Sequence, residues 1–137
     1  MLYTIKNNSY SVTMPPGKKV NYPVACPVYR AQRIIAGKWK ICLLCLMNSG
    51  TKRFSDLYRN MSGITQAMLT KQLRELEEDG MISRYVYPEV PPKVEYSLTE
   101  LGRSFIPIIQ ELSRWGSCHL PAADDEVVMP CCNLKKE

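Results

Sequence analysis

The stretch ITQAMLTKQLRELEEDGMISRYVYPEVPPKVEYSL, Ile64 to Leu98, carries a helix, its stop signal and a strand pair in immediate succession. Thr65 is a helix-capping residue type, and Leu69, Leu73 and Leu76 recur at helical spacing to form one buried stripe. Gly80 is placed to end that helix, with Met81 folding back onto the stripe. Ile82, Arg84 and Val86, then Val94, Tyr96 and Leu98, alternate as strands do. Between the two runs lie Pro88, Pro91 and Pro92. Proline has no N–H to give a β ladder, so these three belong in the loop and stiffen it. Their missing donors also discourage pairing with a foreign sheet edge. The strand pair reads as a stiffened hairpin.

Working outward, Phe54-Ser55-Asp56-Leu57 marks another helix start, with Ser55 as cap and Phe54 as the staple residue before it. Ser62-Gly63 stops that helix, so two helices joined by a short Gly-containing turn make a helix-turn-helix unit. Further upstream, Pro27 suits a first helical position, and Val28, Ala31, Ile34 and Ile35 recur up to Gly37. Trp39, Cys42, Leu43, Leu46 and Met47 then follow the i, i+3, i+4, i+7, i+8 pattern. Downstream, Thr99 caps a last helix with Leu101, Phe105, Ile108, Leu112 and Trp115 on one side, and Pro107 is expected to kink it. The predicted fold is mainly α (α+β): a winged helix-turn-helix with a two-stranded wing and an additional helix at each end. Residues 1–25 form an N-terminal arm, 26–116 the domain and 117–137 a loose C-terminal tail. Within the arm, Tyr3, Ile5, Tyr10, Val12 and Met14 alternate around Asn7-Asn8-Ser9, which fits a small hairpin or a flexible arm equally well.

At 137 residues, 45% hydrophobic and 23% charged, the chain is an ordinary globular domain. No apolar run reaches the ~18 residues of a membrane span, and the first residues lack the apolar stretch of a signal peptide. A cytoplasmic protein without membrane contact is expected, in which the six cysteines form no disulfide framework. The net charge of +5 hides an asymmetry. Cys26 to Arg74 holds nine Lys/Arg and one acid, while Glu75 to the end holds twelve acids and six bases. A basic block of that kind suggests a face for a polyanion.

The chemistry-bearing residues point the same way. Opposite its leucine stripe, the Thr65–Asp79 helix offers Gln66, Ala67, Thr70, Lys71 and Arg74, and its acids wait until Glu75, Glu77, Glu78 and Asp79. Acids at a helix C-terminus oppose the helix dipole. A recognition helix, however, enters the major groove by its N-terminal part, where acids would repel phosphates. Gln and Arg are the side chains that read adenine and guanine edges in bidentate pairs. Cys26 sits at a helix cap with Arg30 one turn along, conditions that favour a reactive thiol, although a small buried cysteine fits equally well. Cys42-Leu43-Leu44-Cys45 has metal or redox spacing but lies in an apolar helix without a second pair, so core packing is expected. Cys118-His119 and Cys131-Cys132 match no standard metal spacing. No catalytic triad, paired carboxylate site, phosphate-binding glycine loop or dinucleotide fingerprint is present. No enzyme activity, cofactor or metal is expected.

The segments CPVYRAQRIIAGKWKICLLCLM and KRFSDLYRNMSGITQAMLTKQLRELEEDGMISRYVYPEVPPKVEYSLTELGRSFIPIIQELSRWG resemble the HxlR-type transcriptional regulators, from Cys26 to Gly116. Gly-Lys-Trp at 37–39 and the runs at 69–80 and 87–96 are the most specific parts of the match. The resemblance implies a dimeric bacterial regulator on an inverted-repeat operator, with dimer contacts from its first and last helices. In several members the position matching Cys26 is a thiol sensing oxidants, quinones or reactive aldehydes, which makes Cys26 the candidate sensor. Ala67 stands where members often carry a longer polar or basic side chain, so base preference does not carry over there.

The expected DNA-binding set is Lys52, Arg53, Thr65, Gln66, Ala67, Thr70, Lys71, Arg74 and the wing residue Lys93. Ile34, Ile35, Ile106, Ile109, Leu112 and Trp115 exceed what one small core needs, so some should pair subunits. The expected partners are double-stranded DNA, a second copy of the chain and a small electrophile or oxidant. The alternative is a winged helix used only as a protein-interaction module.

Overall fold

The computed structural model describes the backbone of residues 2–6 and 9–13, and residues 26–121 in full. The chain divides into two units, Met1–Arg33 and Ile34–Glu137. In the first, β1 (Leu2–Lys6) pairs antiparallel with β2 (Ser9–Thr13), Tyr3 opposite Val12 and Ile5 opposite Tyr10. Of the two readings the sequence left open, the backbone adopts the hairpin. Met14 lies outside the described residues. Helix α1 (Pro27–Ile35) opens on proline, as expected, and the Arg30 N–H donates to the Cys26 carbonyl at 3.0 Å.

The second unit holds α2 (Lys40–Asn48), β3 (Lys52–Arg53), α3 (Phe54–Asn60), α4 (Gln66–Glu78), β4 (Ile82–Tyr87), β5 (Lys93–Leu98) and α5 (Glu100–His119). This is the winged helix-turn-helix that the sequence predicts, with one addition. Lys52–Arg53 runs antiparallel to β5, so the sheet has three strands in the order β3-β5-β4. Two residues are too few to show alternation, which is why only the β4–β5 hairpin is legible in the sequence. The wing prolines lie between the strands, and the Val90–Pro91 bond is cis.

Leu43, Leu44, Leu57, Leu69, Leu73, Leu76, Ile82 and Ile109 are the largest fully buried side chains, and Cys42 and Cys45 join them as packing residues. Thr65 caps α4 by accepting from the Met68 N–H at 3.1 Å. At its other end Gly80 adopts φ 75°, and the Met81 N–H returns to the Leu76 carbonyl at 2.9 Å. That left-handed closure favours glycine.

Two local expectations differ. Ser55 does not cap α3, which begins at Phe54 with Arg53 as its N-cap; the Asp56 carboxylate accepts from the Arg53 N–H at 3.2 Å. Pro107 lies inside α5 (Glu100–His119). That helix runs on to His119, beyond Gly116. The rest of the tail, with Cys131 and Cys132, lies outside the described residues.

One junction closes the wing at its base. The Thr99 N–H donates to the Met81 carbonyl at 3.1 Å, and the Thr99 hydroxyl lies 2.6 Å from the Gly80 carbonyl. The same hydroxyl oxygen caps α5 by accepting from the Gly102 N–H at 3.1 Å. Gly102 is buried there, and a Cβ on it would stand 2.1 Å from the Met81 carbonyl oxygen. Backbone cannot yield as a flexible side chain does. Gly102→Ala is therefore expected to cost about 1–3 kcal/mol, read as a fall of several degrees in Tm. Gly116→Ala is the control: its nearest neighbour is the Leu120 Cδ1 at 3.9 Å, so a helix-favouring Ala should leave Tm unchanged or raise it. Equal melting of the two variants would contradict the close approach.

Candidate nucleic-acid interface

Helix α4 separates its chemistry by face. Leu69, Gln72, Leu73 and Leu76 are buried, whereas Gln66, Ala67, Lys71 and Arg74 are exposed. Thr65 is occupied as the cap, and the Thr70 hydroxyl donates to the Gln66 carbonyl at 2.9 Å. Among the described residues, neither Lys71 nor Arg74 makes an ion pair. The N-terminal part of α4 thus presents amide, guanidinium and ammonium donors with no acid among them.

The acidic end of the helix has a structural use that the sequence did not reveal. Glu75 Oε2 lies 2.7 Å from the Nζ of Lys40, a lysine buried at the start of α2, and Glu77 meets Arg84 of β4 at 3.3 Å. These acids tie α4 to the elements packed around it. The Lys40 ammonium, hydrogen-bonded to the carboxylate, holds Glu75 below the usual carboxylate range. Lys40 therefore belongs to the core rather than to the basic face. Arg59 is likewise engaged by Asp56 within α3.

The sheet departs further from expectation. Its register sets Arg53, Glu95 and Tyr85 in one cross-strand row and Lys93 and Tyr87 in the next, all on one face because opposed residues share a side. Lys93, expected to reach a phosphate, is folded onto this face: its Nζ lies 3.0 Å from the Glu95 Oε1 and 4.6 Å over the Tyr87 ring. Arg53 is exposed. Lys52 pairs opposite Tyr96 and shares that residue's face, so the structure does not bring it beside Arg53.

Of the apolar residues expected to pair subunits, Ile106 and Ile109 are buried in the core of their own unit, and Ile34 packs against it. Ile35 is half-buried. Leu112 and Trp115 are exposed, and Leu101 and Ile108 extend them into a stripe along α5. Trp115 stacks on His119 at 5.1 Å. Cys26 is half-buried and Cys118 exposed. Among the described residues no three His, Cys, Asp or Glu side chains converge as metal ligands. No described helix is long and apolar enough to cross a membrane.

The HxlR-like helix-turn-helix family pattern matches residues 34–124, most of the chain. The chain belongs to this family. It is an HTH-type transcriptional regulator and not an enzyme. Among its HxlR-like relatives, the HTH-type regulator YtcD of Bacillus subtilis is 52% identical over 103 residues, covering 75% of this chain and 79% of that protein. The redox regulator HypR in its reduced form superposes with a TM-score of 0.65 at 52% identity, over 68% of this chain and 92% of HypR. The reduced form of the transcriptional regulator YodB from B. subtilis gives 0.65 at 32% identity, over 72% of this chain and 98% of YodB. The family match begins at residue 34, so Cys26 lies ahead of it.

The Lys40–Glu75 pair gives a pH signature. A carboxylate depressed on folding stabilises the native state above its unfolded pKa of about 4.3, and that contribution fades as pH falls through the lower folded value. Glu75→Gln should lower stability at pH 7 by about 1–2 kcal/mol, less than for a fully buried pair because the Glu75 side chain is 36% exposed. The difference from wild type should shrink as pH drops below about 4. Urea unfolding across pH measures it; a gap independent of pH would remove the carboxylate as its source.

Proposed function

We propose that the protein is a dimeric regulator that grips an inverted-repeat operator with two copies of α4 and responds to thiol modification at Cys26. The observation that carries the DNA reading is the acid-free, unpaired N-terminal face of α4. Gln66 and Arg74 are the base-reading side chains, while Lys71 and Arg53 meet phosphates. Ala67 offers only a methyl, suited to apolar contact with a thymine. The α5 stripe of Leu101, Ile108, Leu112 and Trp115 supports subunit pairing, since four exposed apolar residues in line form a patch of the kind that marks interfaces. Ile106 and Ile109 have no part in that surface. Twofold-related recognition helices reading successive major-groove faces stand roughly 34–36 Å apart.

Support for the switch comes from Cys26 immediately before α1 and from the similarity to HypR, described as a redox regulator in reduced and oxidized forms, and to YodB, described in reduced and diamide-treated forms.

Selection of the operator from random DNA supplies the probe. On it, Arg74→Ala is expected to weaken binding by about 1–3 kcal/mol and relax the preference at one position per half-site. Lys71→Ala should weaken all duplexes alike. Binding that ignores salt and survives Arg74→Ala would instead favour a protein-interaction module.

For the switch, diamide or methylglyoxal should release wild type from that operator and leave Cys26→Ser bound. Equal release of both would exclude Cys26 from the mechanism.

A further inference from the structure

The strand pair from Ile82 to Leu98 contains two bases, Arg84 and Lys93, and two acids, Glu89 and Glu95. The wing therefore carries no net charge, an unexpected feature in an element that approaches a polyanion. Arg84 is engaged by Glu77. Lys93 is held from two sides, by the Glu95 carboxylate at 3.0 Å and by the Tyr87 ring at 4.6 Å, and its side chain is only 27% exposed. The other Glu95 oxygen accepts from the Tyr87 hydroxyl at 3.0 Å. Across the sheet Glu95 stands opposite Arg53. One carboxylate thus faces both candidate phosphate-binding cations on this side of the sheet. At the wing tip Val90 is fully exposed beside Pro91 and Pro92, with Glu89 as the only charge.

We infer that Glu95 is a specificity-determining residue: it holds Lys93 and faces Arg53, so that the wing adds shape to the DNA contact rather than sequence-independent phosphate affinity. This rests on the DNA-binding reading above. Every cation that reaches a phosphate strengthens binding to all sequences alike, because the gain comes from released counterions. What matters to a regulator is the ratio of specific to non-specific affinity against a vast excess of competing sites. An acid that holds the wing lysine lowers the non-specific background and leaves discrimination to Gln66 and Arg74. A carboxylate placed only to brace the wing would not need to face both cations.

The test compares wild type, Glu95→Gln, Lys93→Gln and the double variant by fluorescence anisotropy on a labelled mixed-sequence duplex across a KCl series. Glutamine keeps an acceptor for the Tyr87 hydroxyl but removes the charge. Glu95→Gln is expected to tighten non-specific binding several-fold and to steepen the slope of log K against log salt by about 0.9 for each lysine released. Lys93→Gln alone should neither tighten binding nor steepen the slope, since it frees no cation and leaves the Glu95 carboxylate facing Arg53. The double variant should return to the wild-type slope. A purely structural role predicts a lower Tm for Glu95→Gln with the slope unmoved, and that result overturns the proposal. So does a steeper slope in Lys93→Gln alone. Wild-type binding that does not respond to salt at all would overturn the DNA-binding reading, and this proposal with it; a normal wild-type slope with an unchanged Glu95→Gln slope overturns only the latter.

Discussion

The carbonyl oxygen of Met81 is the point where the recognition helix, the wing and the last helix meet. It accepts from the Thr99 N–H and sits against Gly102 so closely that no side chain fits between them. Met81 is also the residue whose N–H closes α4 onto the Leu76 carbonyl. A single peptide region therefore ends α4, starts β4, receives the end of β5 and seats the first turn of α5. Four directions of the chain are fixed there by hydrogen bonds of ordinary length. Two positions there favour glycine: 80 for the left-handed turn, and 102 for the close approach.

From that junction the division of charge on α4 becomes intelligible. Acids at a helix C-terminus oppose the dipole by a few tenths to about one kcal/mol each. Glu75 and Glu77 offset this by pairing with Lys40 and Arg84, which belong to α2 and β4. They orient the helix against its supports. The same placement keeps acids away from the end that offers Gln66, Lys71 and Arg74. One distribution of charge thus serves both the packing of the helix and the surface it presents, because the two uses fall at opposite ends.

What could be read from the sequence was what is local. Thr65 as a cap, Gly80 as a stop and the alternation on either side of the wing prolines depend on neighbours a few residues away, and each appears in the structure where the pattern put it. What could not be read depends on partners distant in the chain. Lys40 and Lys93 look like free cations because Glu75 is far from the one in sequence, and because the geometry joining the other to Glu95 and Tyr87 exists only once the sheet forms. Ile106 and Ile109 look available for a partner because periodicity gives a helix face, not what that face meets. The start of α3 differs for a smaller reason. Ser55 is a capping residue type, but the N-cap is Arg53, the last residue of β3, whose two residues leave no pattern in the sequence.

The same rigidity bears on how such a regulator could be switched. In the proposed dimer the subunits meet along the exposed face of α5, and the operator is met by α4. Within the second unit these two helices are not independent, since Thr99 and Gly102 at the start of α5 hold the residues that end α4. A hinge between them would have to break the Met81 junction. A change in how two α5 helices pack must therefore appear as a change in the separation of the two α4 helices. Groove spacing tolerates little error, because both half-sites must be engaged at once for the second contact to gain from the first. A modification near the dimer surface, far from DNA, would then suffice to release the operator without altering any residue that touches a base.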